Sequence, residues 1–287
     1  MTAPAHTTAP TPPAPPAPLH RGRLRRAFTD GWVLTRRNLI HAVRNPAEPL
    51  LALCVPLMMV LVFGYVFGEV MAAETGGGPE HFRVFLMPGI FVMGMLYSIA
   101  ATATGVALDA DKAVIGRFRS MPMAPSALLT GRAAADMLRT LLELGVLLGC
   151  AWLVGWSWSG TGAEALQAIG LLLLFRFAMT WVGIYLGLAA PDPNVVGLIV
   201  YPLAFPLGMV STTFMPPQLM PGPLAVVAEW NPVSSVVSAT RELFGNPGVG
   251  GDSWVAQNPV LMAVLWPLAI LLVCVPLALY RFKKASR

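Results

Sequence analysis

Six stretches of this chain are apolar for long enough to cross a bilayer, and that excludes most other folds. A helix spanning the hydrocarbon core needs roughly 20 mostly apolar residues. Such runs lie at about Leu50–Phe67, Phe85–Leu108, Arg132–Val154, Ala165–Ala190, Val195–Phe214 and Pro259–Tyr280. Charged residues make up only 11% of the 287, and mean hydropathy is +0.66, so a soluble domain of this size would lack the charge to cover its surface. Pro56, Gly94, Gly183, Pro206 and Pro267 fall inside the runs. Membrane helices tolerate them because neighbours and local readjustment satisfy the freed backbone groups.

Orientation follows from the basic residues. Seven arginines precede the first run, four basic residues lie in or at the edge of the loop between runs two and three, and four follow the last run, so fifteen of the nineteen Lys and Arg face one side. Only Arg83 and Arg241 fall on the other, with Arg139 and Arg176 inside runs. The positive-inside rule predicts that both termini are cytoplasmic, in the plasma (inner) membrane. The net charge of +5 is clustered beside span ends, without interleaved aromatics to stack bases, which suits anionic lipid headgroups and excludes nucleic acid as partner. The three cysteines lie inside spans without ligand spacing.

The predicted fold is an all-α polytopic membrane protein with six transmembrane helices, an N-terminal amphipathic interfacial helix, and an outer re-entrant helical segment between spans five and six. Residues 1–24 form a Pro-rich tail with almost nothing to bury, expected to be disordered and cytoplasmic. Residues 25–287 form the membrane domain. Between about Arg26 and Arg44, Phe28, Trp32, Leu39 and Val43 share one helical face, with Arg36 and Arg37 on the remainder. Asn45-Pro46 stops that helix ahead of span one. The inner loop from Asp109 to Thr130 holds a short segment carrying Arg117, Phe118, Arg119 and Met121, apolar on one surface and basic on another. Such a segment either lies on lipid or docks a cytosolic partner. In the outer loop, Asn231-Pro232 marks a helix start, with Ser234 in its first turn and Gly245-Asn246-Pro247-Gly248 at its end.

Catalytic chemistry is missing. The sequence has no G-x-x-x-x-G-K-S/T phosphate loop and no H-E-x-x-H, and its four histidines are scattered. The chain is therefore read as no enzyme, binding no cofactor or metal of its own. Two charges inside spans need separate weighing. Glu143 lies about 12 residues before the turn joining spans three and four, and Arg176 about 14 after it, so at ~1.5 Å per residue their depths agree to within roughly 3 Å. A bare charge there costs at least about 2.5 kcal/mol. Glu143 and Arg176 are either an internal ion pair that fixes helix packing or a polar patch on a substrate path, and Arg139 competes for the same carboxylate.

Four short motifs in order carry a resemblance. They are Arg36-Arg37-Asn38 through Arg44-Asn45-Pro46, Met87-Pro88-Gly89-Ile90, Gly116-Arg117-Phe118-Arg119-Ser120-Met121-Pro122, and Trp230-Asn231-Pro232-Val233-Ser234. On a six-span frame they resemble the permease subunit of type 2 ABC exporters, within the daunorubicin/doxorubicin-resistance permease group of actinobacteria. The resemblance implies alternating-access export of a hydrophobic or amphipathic small molecule, as in drug efflux and antibiotic resistance. It implies a cytosolic ATP-binding cassette subunit that holds the ATP and Mg, and a second permease copy, expected as a homodimer. It also implies that Trp32, Arg36 and Arg37 with Arg117, Phe118, Arg119 and Met121 dock the ATPase, and that the outer segment about Asn231, Pro232 and Ser234 closes the exit. Export of a lipid-linked glycan or glycolipid by the same fold, and a membrane scaffold or sensor that transports nothing, stand as alternatives.

Overall fold

The computed structural model describes residues 47–67, 79–111, 125–190, 192–246 and 250–285, and among them every regular element is a helix. Helix α1 (Ala47–Leu61) passes into a π-helical turn, Val62–Phe67. It is followed by α2 (Pro79–Tyr97), α3 (Ile99–Asp111), α4 (Pro125–Leu153), α5 (Gly162–Ala189) and α6 (Val196–Met209). Two short outer helices, α7 (Gly222–Glu229) and α8 (Pro232–Leu243), and the single turn α9 (Trp254–Gln257) lead to α10 (Pro259–Ala285).

Among the described residues, three stretches are long and apolar enough to cross a membrane: Glu80–Ala110, Gly162–Ala189 and Pro259–Lys284. The first combines α2 and α3, which meet at Ser98, whose hydroxyl donates to the Met95 carbonyl at 2.6 Å, so the run expected as the second span is one apolar stretch interrupted at that residue. The apolar parts of α1 and α6, Cys54–Val66 and Pro193–Met209, are shorter. Helix α4 has the length, 29 residues, but carries Arg132, Asp136, Arg139 and Glu143. It also begins earlier than its apolar pattern suggests, at Pro125, which suits a first helical position because the missing N–H would be unsatisfied there anyway.

Helix α5 is the central post, packed on α10, α3, α8, α4 and α2. Its start is fixed by a capping box: the Thr161 hydroxyl accepts from the Glu164 N–H, and the Glu164 carboxylate accepts from the Thr161 N–H at 2.7 Å. Gly183 and Gly187 let α3 approach closely. A Cβ on Gly183 would meet the Ile99 carbonyl and Thr102 Cβ, each at 3.0 Å, and one on Gly187 would meet the Ala103 carbonyl oxygen and Val106. A G-x-x-x-G pair is the usual means of bringing two membrane helices into backbone contact, because lipid offers no hydrophobic drive and packing must supply the attraction.

Outside this post, the surface is apolar. Leu142 and Leu153 of α4, Leu198 and Leu203 of α6, and Leu272 and Tyr280 of α10 are all exposed, which suits a lipid surround. In the π turn ending α1, the Gly64 carbonyl accepts from the Arg83 Nε at 2.7 Å.

Candidate functional site

The inward face of α4 carries charge at every turn. Arg132, Asp136, Arg139 and Glu143 follow at spacings of four, three and four, which places them on one side of the helix. That side lines a cavity of about 620 Å³ between α1, the α2–α3 junction, α4, α5 and α6. Apolar walls come from Val55, Met59, Leu147 and Phe205, with Tyr97 and Tyr201 beside them. Arg176 reaches in from α5 and is 4% exposed.

The charges here are linked, but the links differ in kind. Arg132 donates to Asp109 at 2.9 Å, joining the end of α3 to the start of α4. Its Nε lies 3.9 Å from Asp136. Arg139 donates to Glu143 at 2.7 Å, an i,i+4 pair within α4. Arg176 instead donates Nε to the Thr140 hydroxyl at 3.0 Å and Nη2 to the Thr102 hydroxyl at 3.2 Å. Each hydroxyl passes its own proton on: Thr102 donates to the Asp136 carboxylate at 2.8 Å, and Thr140 to the Asp136 carbonyl at 2.8 Å. Arg176 therefore meets the Asp136 carboxylate only through the Thr102 hydroxyl, and among the described residues its Nη1 has no hydrogen-bond partner.

Glu143 and Arg176, placed at similar depth by counting along the sequence, line the same cavity. The carboxylate of Glu143 is engaged by Arg139. Arg132, Asp136, Thr102 and Thr140 were not singled out as site residues from sequence. The four-three-four spacing on α4 is a signal that finds the first two. The threonines carry no charge and no motif, and only their packing against Arg176 reveals them.

The outer segment is built around a second buried arginine. Asn231 caps α8, accepting from the Val233 N–H at 2.9 Å, with Pro232 at the first helical position. Its amide also donates to the Leu207 and Val210 carbonyls, both at 2.7 Å, tying the cap to the end of α6. Ser234 accepts from the Thr212 N–H at 3.0 Å. One helix face further on, Arg241 is fully buried and donates to the carbonyls of Phe85 at 2.7 Å, Thr212 at 2.8 Å and Thr213 at 2.8 Å. Its guanidinium lies 3.8 Å from the centroid of the Phe85 ring. Sequence counting treats Arg241 as an outer loop charge, whereas the structure buries it as the fastener of that segment.

Beyond it, Phe91, Trp156 and Phe244 form an edge-to-face cluster, with Trp156 5.3 Å from Phe91 and 5.1 Å from Phe244. Gly245 (φ 72°) then allows the chain to pass against Ser159 and Gly160. There the Phe244 carbonyl accepts from the Ser159 N–H at 3.0 Å and the Gly245 carbonyl from the Ser159 hydroxyl at 2.7 Å, so protein groups satisfy the backbone where α8 ends.

The expected ATPase-docking residues, Trp32, Arg36, Arg37, Arg117, Phe118, Arg119 and Met121, lie outside the described residues. Among the described residues no group of His, Cys, Asp and Glu is arranged to hold a metal.

A family model described as ABC-2 type transporter matches residues 29–244. The daunorubicin resistance ABC transporter permease protein DrrB1 of Streptomyces coeruleorubidus is 30% identical over 246 residues, which cover 84% of this chain and 82% of that protein.

Proposed function

This chain belongs to the ABC-2 type transporter family, as a membrane-embedded permease, and on that premise we propose that it is the transmembrane subunit of a drug exporter. It moves hydrophobic or amphipathic compounds out of the cell. The energy comes from a separate cytosolic ATP-binding subunit, which holds the ATP and Mg, and two permease copies complete the pathway. The relative's drug-resistance name supports the substrate class.

The observation that carries this reading is the cavity of about 620 Å³ among α1 to α6. It falls within the roughly 300–1,000 Å³ of pockets for drug-sized ligands and combines apolar walls with a few convergent polar groups. In this reading the shorter helices α1 and α6 and the charged helix α4 also cross, which makes six crossings, with both termini cytoplasmic as the positive-inside rule predicts. The charges of α4 turn inward and are partnered there, which removes the cost that would otherwise keep them out of lipid.

The mechanism is alternating access. ATP binding draws the two cytosolic subunits together, and the loop between α3 and α4, with Phe118 and Met121 as apolar contacts and Arg117 and Arg119 as charged ones, receives the motion. Asp109 and Arg132 bracket that loop with a 2.9 Å bridge, which supports α3 and α4 moving as one unit. Both helices line the cavity, so a push on the loop changes its shape. The outer helices α7 and α8 close the exit.

The test is efflux of a fluorescent amphipathic dye from cells expressing the chain with its ATP-binding subunit. Phe118→Asp is expected to abolish efflux and pull-down of the ATP-binding subunit while membrane insertion is retained. Normal efflux by that variant refutes the docking assignment, and a wild-type pull-down free of nucleotide hydrolysis refutes the exporter reading.

A further inference from the structure

The three arginines that line the cavity are not equivalent, and the difference defines a ligand chemistry. Arg139 is in direct contact with a carboxylate, Glu143, at 2.7 Å, and Arg132 with Asp109 at 2.9 Å. Asp136 receives the Thr102 hydroxyl at 2.8 Å and faces the Arg132 Nε at 3.9 Å. Both carboxylates on the wall are therefore already engaged. Arg176 spends two of its five N–H donors on neutral hydroxyl oxygens and, among the described residues, leaves Nη1 without an acceptor, although it is 96% buried.

An unmatched guanidinium in a low-dielectric site strongly favours an incoming acceptor, since a buried donor left unmade costs about 1–3 kcal/mol and more when it is charged. Its orientation is set in advance. Thr140 and Thr102 hold Nε and Nη2, each hydroxyl anchored in turn on Asp136, and Thr102 is placed by the close α3–α5 crossing at Gly183. A planar fork held on one edge presents the other edge to a carboxylate or phosphate.

We propose that Arg176 is the anchor of a binding site for an amphiphile bearing an anionic oxygen group, a carboxylate or phosphate. The anionic head meets Nη1 and the apolar body lies along Val55, Met59, Leu147 and Phe205. This rests on the cavity being the substrate route and names the class of compound it selects. Two sources share this chemistry: a free anionic amphiphile to be exported, or the headgroup of a bilayer phospholipid held in the wall.

The experiment uses the purified full-length chain, exhaustively exchanged into a maltoside detergent. Binding of four probes with one tail, octanoate, octyl phosphate, octylammonium and octanol, is followed by intrinsic tryptophan fluorescence at pH 7.5. A charge-assisted bond predicts that octanoate and octyl phosphate bind about tenfold or more tightly than octylammonium and octanol. Arg176→Gln removes that preference, and Arg176→Lys retains only part of it because a point charge lacks the fork. Equal affinity for octanoate and octylammonium in the wild type overturns the proposal without any variant having to fold. So does an undiminished anion preference in Arg176→Gln.

Mass spectrometry of lipids extracted before the exchange distinguishes the sources. An anionic phospholipid that accompanies the wild type and is lost from Arg176→Gln assigns the site to a headgroup. Anion preference without such a lipid assigns it to a free amphiphile. Absence of anion preference in the wild type with dye efflux intact overturns this inference alone, whereas anion preference without efflux overturns only the export reading.

Discussion

Replacing Arg241 tests the strongest energetic claim in the structure, that a buried cation with carbonyl partners holds the outer helices to the spans. Three bonds to a charged donor contribute about 1.5 kcal/mol each at the low end. The cation–π contact with Phe85 adds about 1 kcal/mol. The gross loss on Arg241→Met is thus roughly 5–6 kcal/mol. Part returns, because the guanidinium no longer has to be stripped of water, a term of several kcal/mol per ion. Methionine also fills much of the space.

A net loss of about 3 kcal/mol is expected, equivalent to a fall of roughly 6–12 °C in Tm by the scaling for domains of about 150–250 residues. Arg241→Lys is the sharper variant. It keeps the charge but cannot reach the carbonyls of Phe85, Thr212 and Thr213 together, so an under-solvated ammonium stays buried. Its loss is expected to equal or exceed that of methionine, at about 3–5 kcal/mol. The assay is the apparent Tm of purified protein in detergent at one scan rate, followed by light scattering. A lysine variant melting within about 2 °C of wild type would show that the carbonyl cradle contributes little.

Further substitutions probe the helix contacts and the polar network. Gly187→Leu, placed against Ala103 and Val106, should destabilise by about 1–3 kcal/mol through overpacking. Gly170→Ala, whose Cβ would have no neighbour within 4 Å, should be neutral or gain up to about 1 kcal/mol in the same melts. Exchanging the charges of Arg139 and Glu143 together should recover most of the stability lost by either single reversal, whereas exchanging Arg176 with Glu143 should not, as read from a double-mutant cycle in thermal stability. Thr102→Val removes the hydroxyl that joins Asp136 to Arg176 and should cost about 1–3 kcal/mol, with a smaller loss when Arg176→Met is already present.

The outer segment shows where reading the chain succeeds and where it fails. Asn231-Pro232 predicts a helix start from local chemistry alone, a side-chain acceptor followed by a residue with no N–H, and α8 begins there. Arg241, a few residues on, looks from sequence like an ordinary surface charge. Its partners, Phe85, Thr212 and Thr213, are distant in sequence, and they bond through backbone carbonyls, which every residue possesses. No pattern of side chains can announce such a partner.

The apolar runs determined by themselves that the chain is helical and membrane-embedded, because a bilayer leaves the backbone no other way to satisfy its hydrogen bonds along such lengths. The spacing of Arg132, Asp136, Arg139 and Glu143 likewise contains a polar face on α4. Which charge meets which was decided only in three dimensions. The Gly183 crossing brings Thr102 to within hydrogen-bonding distance of Arg176, 74 positions away in the chain, and the neighbouring turn of α4 supplies Thr140. A hydroxyl is neutral and carries no periodic signal, yet at that distance it sets the direction of a buried cation, and with it the chemistry the cavity can receive.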